Sequence, residues 1–241
     1  MKTITFCLVF LLTISQLFAQ EDNLVDPIAK YKSFYELGGS IGLTRVNTEH
    51  THFNTAKGDY EFRKNNYLPS STVSINFGWL FNSEESNTIF AIKTGINIST
   101  KSASLLDSDG NKLQLTTSYL QLPFLVGFRE PIRYSKNENR FFHALEYHIG
   151  VYAATPFFQK LDNRNNVDAS GKGLAANNLR FGIMAEVAFT AFDNKGHGHK
   201  FGFRMMQDFA KLHKFKETPS QLYPYYGSLG LFYNIYNDYY K

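Results

Sequence analysis

Hydrophobic and polar residues alternate along eight separate stretches of this chain. In the clearest, residues 119–129, apolar side chains occupy every second position, and the residues between them are mixed, small or polar. Successive side chains of a β-strand point to opposite faces, so this period of two predicts a strand with one apolar face and one face that accepts charge. The predicted strands are residues 34–45, 71–81, 88–100, 113–129, 140–152, 178–192, 200–209 and 225–236.

The lengths of the strands and loops indicate a membrane barrel. A tilted membrane strand needs about 9–11 residues, whereas strands of soluble domains more often stop at about five or six. The predicted links at 82–87, 131–139 and 193–199 are short, and those at 46–70, 101–112, 153–177 and 210–224 are longer. We therefore predict an all-β fold, a closed eight-stranded antiparallel up-and-down transmembrane β-barrel with short periplasmic turns and long outer loops.

Charges of both signs lie on the polar face of the predicted strands. In a closed lumen such charges would compensate each other, and an eight-stranded barrel is just wide enough to be filled by its own side chains. We therefore predict a filled lumen with no open pore. The charged residues of this face are Glu36, Lys93, Arg129, Glu146, Arg180, Glu186, Arg204 and Asp208.

Aromatic residues cluster near the predicted strand ends, where a membrane barrel carries its aromatic girdles. They are Tyr35, Trp79, Phe81, Tyr223, Tyr225, Tyr226, Tyr239 and Tyr240.

A soluble barrel is the alternative interpretation of the same alternation. In a periplasmic or secreted lipocalin-like protein the apolar faces would point inward and enclose a small apolar ligand, and the charges would face water. The direction of the two faces discriminates between these hypotheses.

The first residues have the features of an export signal. Lys2 supplies a positive start, residues 4–12 an apolar stretch, and Ala19 the end of a cleavage site. We predict a signal peptide at 1–19, a periplasmic leader at 20–33 and the barrel domain at 34–241. The only cysteine, Cys7, lies in the signal, so we expect no disulfides. The net charge of +4 is too small to favour a nucleic-acid partner.

Two histidine pairs and one acidic stretch are the candidate metal ligands. His50 with His52 and His197 with His199 lack a third ligand at a recognised spacing, so we interpret both pairs as solvated loops. Residues 107–111 begin like a calcium loop but lack the later glutamate, and a turn at Asp109 explains them more simply. We predict no metal site and no cofactor.

Loop residues could in principle assemble a hydrolase or acyltransferase site from His50, His52, His213, Asp107 and Asp109. The chain has no glycine-rich phosphate loop. We therefore assign no catalytic residue and expect a protein that is not an enzyme.

Two smaller features complete the candidate sites. Lys211, Lys214 and Lys216 in the last outer loop could contact lipopolysaccharide phosphates, with plain solubility as the alternative role. Asn97 starts a glycosylation sequon, which we discount because it falls inside a strand. Pro123 also falls inside a strand, where we expect a bulge or an unpaired position.

The end of the signal at residues 18–20, the strand start at 119–124 and the glycine-rich aromatic segment at 227–233 resemble the small outer-membrane β-barrel proteins of Bacteroidota, the porin-like or PorT-like family. The resemblance implies a monomeric barrel in the outer membrane, in contact with outer-membrane lipid and lipopolysaccharide. Some relatives serve type IX secretion, but no residue here transfers that role. The expected function is non-enzymatic: the barrel presents loops or docks an envelope or secretion partner.

Overall fold

The structure, a computed structural model, describes residues 31–46, 52–55, 58–62, 67–81, 88–107, 112–133, 142–163, 171–173, 179–192, 197–209 and 226–240. Nearly all of these residues are in strands. The strands are β1 (Tyr31–Val46), β2 (His52–Thr55), β3 (Gly58–Phe62), β4 (Leu68–Phe81), β5 (Ile89–Asp107), β6 (Lys112–Arg133), β7 (Phe142–Asn163), β8 (Gly171–Gly173), β9 (Arg180–Phe192), β10 (His197–Asp208) and β11 (Tyr226–Tyr240).

Eight of these strands close into a barrel. β1, β4, β5, β6, β7, β9, β10 and β11 follow one another around it, each antiparallel to its neighbours, and β1 closes the ring by pairing with both β4 and β11. The predicted up-and-down barrel is therefore confirmed. Within the described ranges, no helix is long and apolar enough to cross a membrane.

The two faces of the barrel point as the membrane interpretation requires. From Ser71 to Phe81 every second side chain of β4 is exposed and those between are buried, as its alternating sequence predicts. The exposed face around the barrel is apolar, with Ile41 at 72% and Val73 at 62% exposure. The lipocalin-like alternative is wrong, because the charges, such as Glu36 and Lys93, are the side chains that are buried inside.

Three strands of the barrel are longer than the other five. β5, β6 and β7 have 19, 22 and 22 residues, whereas the other barrel strands have 12 to 16. The predicted loop 101–112 is therefore wrong for most of its length, and the long–short alternation fails there, because only residues 108–111 link β5 to β6. The predicted loops 46–70 and 153–177 contain the short strands β2, β3 and β8, which the alternation did not reveal.

The chain ends of the barrel differ slightly from the prediction. β1 begins at Tyr31, inside the predicted leader. Residues 1–30 lie outside the described residues, so the signal peptide stays a prediction. Tyr35, Trp79 and Phe81 are exposed as girdle residues would be. Tyr226 is wrong as a girdle residue, because it is fully buried in the lumen.

Pro123 is unpaired on the side of β5, without a bulge, whereas on the side of β7 it pairs with Tyr152. Thr94 of β5 pairs with Phe124 of β6, and the next pair is Asn97 with Gln121. The two residues between them on each strand are unpaired, and the register is the same on both sides of this gap. The Thr94 hydroxyl donates a hydrogen bond of 2.7 Å to the carbonyl oxygen of Pro123. The Thr94 side chain thus supplies a hydrogen-bond donor to the Pro123 carbonyl where the backbone pairing of β5 with β6 is interrupted.

Candidate functional site: the lumen and the sheet extension

Aromatic rings fill the lumen where glycines leave room. A Cβ atom on Gly182 would lie 2.3 Å from the Tyr152 ring, and one on Gly78 would lie 2.5 Å from the Phe34 ring. Only glycine allows a ring to lie this close to the backbone of the neighbouring strand. Phe34 also stacks on Tyr236 with ring centroids 5.5 Å apart. These contacts pack both halves of the barrel interior.

Ten charged side chains from six strands point into the lumen. All of them are at most 7% exposed, so their charges are separated from bulk water. Isolated charges in such surroundings are costly unless they are paired. We call this set the lumen network: Glu36, Lys93, Lys101, Arg129, Glu146, Arg180, Glu186, Lys200, Arg204 and Asp208.

One part of the lumen network is a chain of alternating sign. It starts where Arg129 Nε lies 3.1 Å from Glu146 Oε1, and it ends where Arg204 Nε lies 2.7 Å from Glu186 Oε1. Lys200 bridges Glu146 to the next carboxylate. In order, its members are Arg129, Glu146, Lys200, Glu36, Lys93, Glu186 and Arg204.

The second part of the network lies near the end of the barrel where β10 finishes at Asp208 and β11 begins at Tyr226. Asp208 is shared by Lys101 Nζ, 3.2 Å away, and Arg180 Nη1, 3.9 Å away. It also accepts hydrogen bonds from the Tyr152 hydroxyl and, at 2.9 Å, from the backbone N–H of Tyr226. Every carboxylate of the network therefore contacts two cations, which is the pairing that buried charge requires.

Three tyrosine rings surround Lys101. Its Nζ atom lies 5.6 Å from the centroid of Tyr119, 5.8 Å from that of Tyr152 and 5.5 Å from that of Tyr226. Such cation–π contacts add to the ion pair when the ammonium group is desolvated. These three rings occupy the lumen near the end of the barrel where β10 finishes and β11 begins.

Lys101 and Lys200 belong to the lumen network but not to the predicted polar face. The predicted loop 101–112 includes Lys101, although this residue lies an even number of residues after Lys93 on one continuous strand. Lys200 is the first residue of its predicted strand and shares the parity of Arg204 and Asp208. Parity could have found both, since residues two apart share a face. The described network consequently has six cations and four carboxylates instead of the predicted balance.

Neutral polar side chains of β4, β5 and β6 also point into the lumen. Ser74, Asn97 and Gln121 lie side by side in register, and all three are fully buried. The amide groups of Asn76, Asn97 and Gln121 make no hydrogen bond within the described part of the chain. Asn97 lies within β5 and is buried in the lumen, so the strand position for which its glycosylation sequon is discounted is confirmed.

The long strands continue beyond the barrel as a paired sheet. β4 last pairs with β5 at Ser70 and Lys101, and β9 last pairs with β7 at Arg180 and Ala154. Past these points β5, β6 and β7 remain paired with each other. β3 adds to β5, β2 adds to β3, and β8 adds to β7. We call this six-stranded part, in the order β2-β3-β5-β6-β7-β8, the sheet extension.

A β-bulge marks the base of the sheet extension. Ser118 pairs with Phe158, but the next residue, Tyr119, pairs with Pro156, so Phe157 is the extra residue. Bulges bend a strand and increase its local twist, and they are common at barrel rims. Proline is tolerated at such a position. The bulge therefore separates the register of the barrel from that of the sheet extension.

The candidate ligands of the sequence analysis are not brought together as a site. His197 and His199 are wrong as a loop pair, because both belong to β10, and His199 Nδ1 contacts the Tyr233 hydroxyl at 2.6 Å. The backbones of His52 and Asp107 lie in the sheet extension, on β2 and β5. In the ranges that the structure describes, no three His, Cys, Asp or Glu side chains are grouped to hold a metal. Outside these ranges lie His50, His213, Asp109, Lys211, Lys214 and Lys216.

Comparison with known proteins adds little to this picture. No protein-family model and no curated protein sequence matches the chain. Among solved structures, the chain is similar to Ail, the attachment invasion locus protein of Yersinia pestis. The match has 10% sequence identity and a TM-score of 0.31, and it covers 86% of this chain and 99% of Ail. A TM-score this low supports no conclusion about this chain.

Proposed function

We propose that this protein is an integral outer-membrane β-barrel that passes no solute and displays the sheet extension to a protein partner in the cell envelope or at the surface. It is non-enzymatic. The observation that carries the proposal is the sheet extension itself, an ordered surface built on a barrel whose interior is occupied by its own side chains.

The membrane location is supported by the two faces of the strands. Exposed aliphatic and aromatic side chains cover the outside, while the lumen network is buried inside. In water this arrangement would expose a continuous apolar surface far larger than monomeric soluble proteins tolerate. Facing lipid, the same surface is favourable, and closure of the barrel satisfies every strand edge.

The orientation follows from the ends of the barrel. β1 starts and β11 finishes at the end that also carries the links 82–88, 134–141 and 193–196. In bacterial barrels the short turns and both chain ends lie on the periplasmic side. The sheet extension, at the opposite end, would then stand outside the cell.

The sheet extension suits a protein partner better than a small ligand. Its outer strands, β2 and β8, are short, and each has a described neighbour on one side only. An edge of this kind can pair with an extended segment of another protein. The Bacteroidota resemblance and the contact of Lys211, Lys214 and Lys216 with lipopolysaccharide belong to the same proposal. Deleting residues 210–218 without loss of lipopolysaccharide binding would remove the lysine contact.

Cysteine labelling tests location and orientation together, because the only native cysteine, Cys7, lies in the predicted signal. Ser104→Cys places a thiol in the sheet extension, and Thr88→Cys places one beside the link at the other end. We expect a membrane-impermeant maleimide to label Ser104→Cys in intact cells and Thr88→Cys only after permeabilisation. The reverse pattern would overturn the orientation, and a protein recovered without detergent would overturn the membrane location.

Replacing residues 52–62 by a short Gly-Ser linker tests the display role. This change removes β2 and β3 but none of the eight barrel strands. We expect the barrel to keep its different gel mobility before and after boiling, while cross-linking of the intact protein to its envelope partner is lost. Unchanged cross-linking would contradict the role of the sheet extension.

A further inference from the structure

A small polar cavity lies within the lumen, where the two parts of the lumen network approach each other. Its volume is about 10 Å³, room for one particle about the size of a water molecule. Two cations and five hydroxyl-bearing residues line it, together with two glycines, Met206 and Leu229. The cations are Lys101 and Arg204, and the hydroxyl-bearing residues are Ser40, Ser70, Thr72, Ser99 and Ser228.

The lining is rich in donors and positive charge. Arg204 uses Nε for Glu186, while its buried Nη1 has no hydrogen-bond partner among the described residues. The buried hydroxyl of Ser99 has none either. A guanidinium group that keeps a free buried N–H is costly, since each unsatisfied polar group loses its hydration without compensation. Both groups belong to the wall of the same cavity.

The nearby carboxylates do not neutralise these two cations. Arg204 shares Glu186 with Lys93, and Lys101 shares Asp208 with Arg180. Arg204 and Lys101 therefore each share their carboxylate with a second cation. None of the described residues that line the cavity is a carboxylate, so its surroundings favour negative charge.

We propose that this cavity binds one monatomic anion of the chloride type. Lys101 and Arg204 supply charge, and the hydroxyl groups of Ser99, Thr72 and Ser228 donate hydrogen bonds. The small volume excludes sulfate, phosphate and carboxylate ligands, and the two cations exclude a metal ion. The anion completes the pairing of buried charge where the two parts of the lumen network meet.

The proposal predicts that halide stabilises the folded barrel by mass action, since a ligand that binds only the native state raises its stability with concentration. The mature chain is refolded in a chloride-free nonionic detergent, and its urea midpoint is measured at constant ionic strength. We expect chloride and bromide to raise the midpoint in a saturable way, and sulfate not to do so at the same concentrations. Sulfate is the more stabilising salt when it acts on the whole surface, so a general salt effect would give the opposite order.

A pair of variants locates the effect. Ser99→Ala removes a hydroxyl of the cavity, whereas Ser74→Ala removes a buried hydroxyl of the same wall that lies outside it. We expect Ser99→Ala to weaken the apparent halide affinity about tenfold, the effect of losing about 1.4 kcal/mol of binding free energy, and Ser74→Ala to leave it unchanged. Crystals soaked in bromide should show one anomalous peak in the cavity. An unchanged midpoint in all three salts, or a water molecule in the cavity with no bromide peak, would overturn the proposal.

Discussion

The outer and inner faces of the same strands follow different rules. Outward residues such as Ile75, Phe77 and Trp79 share one property, an apolar side chain about half exposed on the bare protein. Inward residues share burial, but the charged ones among them also depend on particular partners. Glu36, for example, contacts Lys200 and Asn234, which lie 164 and 198 positions further along the chain.

The two faces therefore differ in the substitutions that they tolerate. Lipid is a uniform solvent, so one apolar residue can replace another outside with little consequence beyond its transfer free energy. Inside, removing one charge leaves its partners buried and uncompensated. The same strand should thus be permissive on one face and exacting on the other.

Glu186→Gln should have the largest effect on the inner face. The substitution keeps the size of the side chain but leaves Lys93 and Arg204 without their shared charge. We expect a loss of about 3–5 kcal/mol in the free energy of unfolding, measured by urea titration of the barrel in lipid vesicles.

The matched control is Glu130→Gln, whose side chain is not in the lumen and accepts a hydrogen bond of 2.8 Å from the Tyr147 hydroxyl. The amide oxygen can still accept that bond, so we expect a change below about 1 kcal/mol. Equal losses for the two variants would mean that the buried network has no special role in stability.

Ile75→Lys tests the outer face with a smaller expected effect. Ile75 lies near the middle of β4, where a lysine would face the centre of the bilayer. We expect a loss of about 2–4 kcal/mol in the free energy of unfolding in vesicles. Tyr67→Lys, just before the same strand, should cost at most about 1 kcal/mol, because the penalty falls towards the membrane surface. If both variants unfold alike, the outer face does not contact lipid.

The sequence could predict this two-faced organisation because it depends on local parity alone. Strand identity, the direction of Glu36 or Arg204, and the closed barrel all follow from an alternation that can be counted along the chain. Lys101 and Lys200 follow the same parity, but the predicted ends of their strands exclude Lys101 and begin at Lys200. The excess of cations in the described lumen was missed for that reason.

The remaining features depend on contacts between distant segments. No local signal shows that β3 pairs with β5 through Tyr60 and Asp107, or that Phe157 is the extra residue of a bulge. The cavity also needs residues from several strands, among them Ser99 of β5 and Ser228 of β11, and their convergence depends on the register of the whole barrel. Such features require the structure.

Thr94→Val tests a backbone hydrogen bond rather than either face of the strand. It should have the smallest effect on the free energy of unfolding. The Thr94 hydroxyl supplies the donor to the Pro123 carbonyl where the β5–β6 ladder lapses. Valine has nearly the same shape and leaves that carbonyl without this donor, so we expect a loss of about 1 kcal/mol in the free energy of unfolding in vesicles.

Thr100→Val on the same strand is the control, since its hydroxyl lies 3.2 Å from the Ser118 hydroxyl, and the backbone ladder is intact there. We expect its loss to be smaller than that of Thr94→Val. If Thr94→Val costs no more than this control, the proline carbonyl does not depend on the threonine. The interrupted pairing of β5 with β6 would then cost little free energy of unfolding by itself. The outer face would tolerate substitution even where the backbone pairing is interrupted.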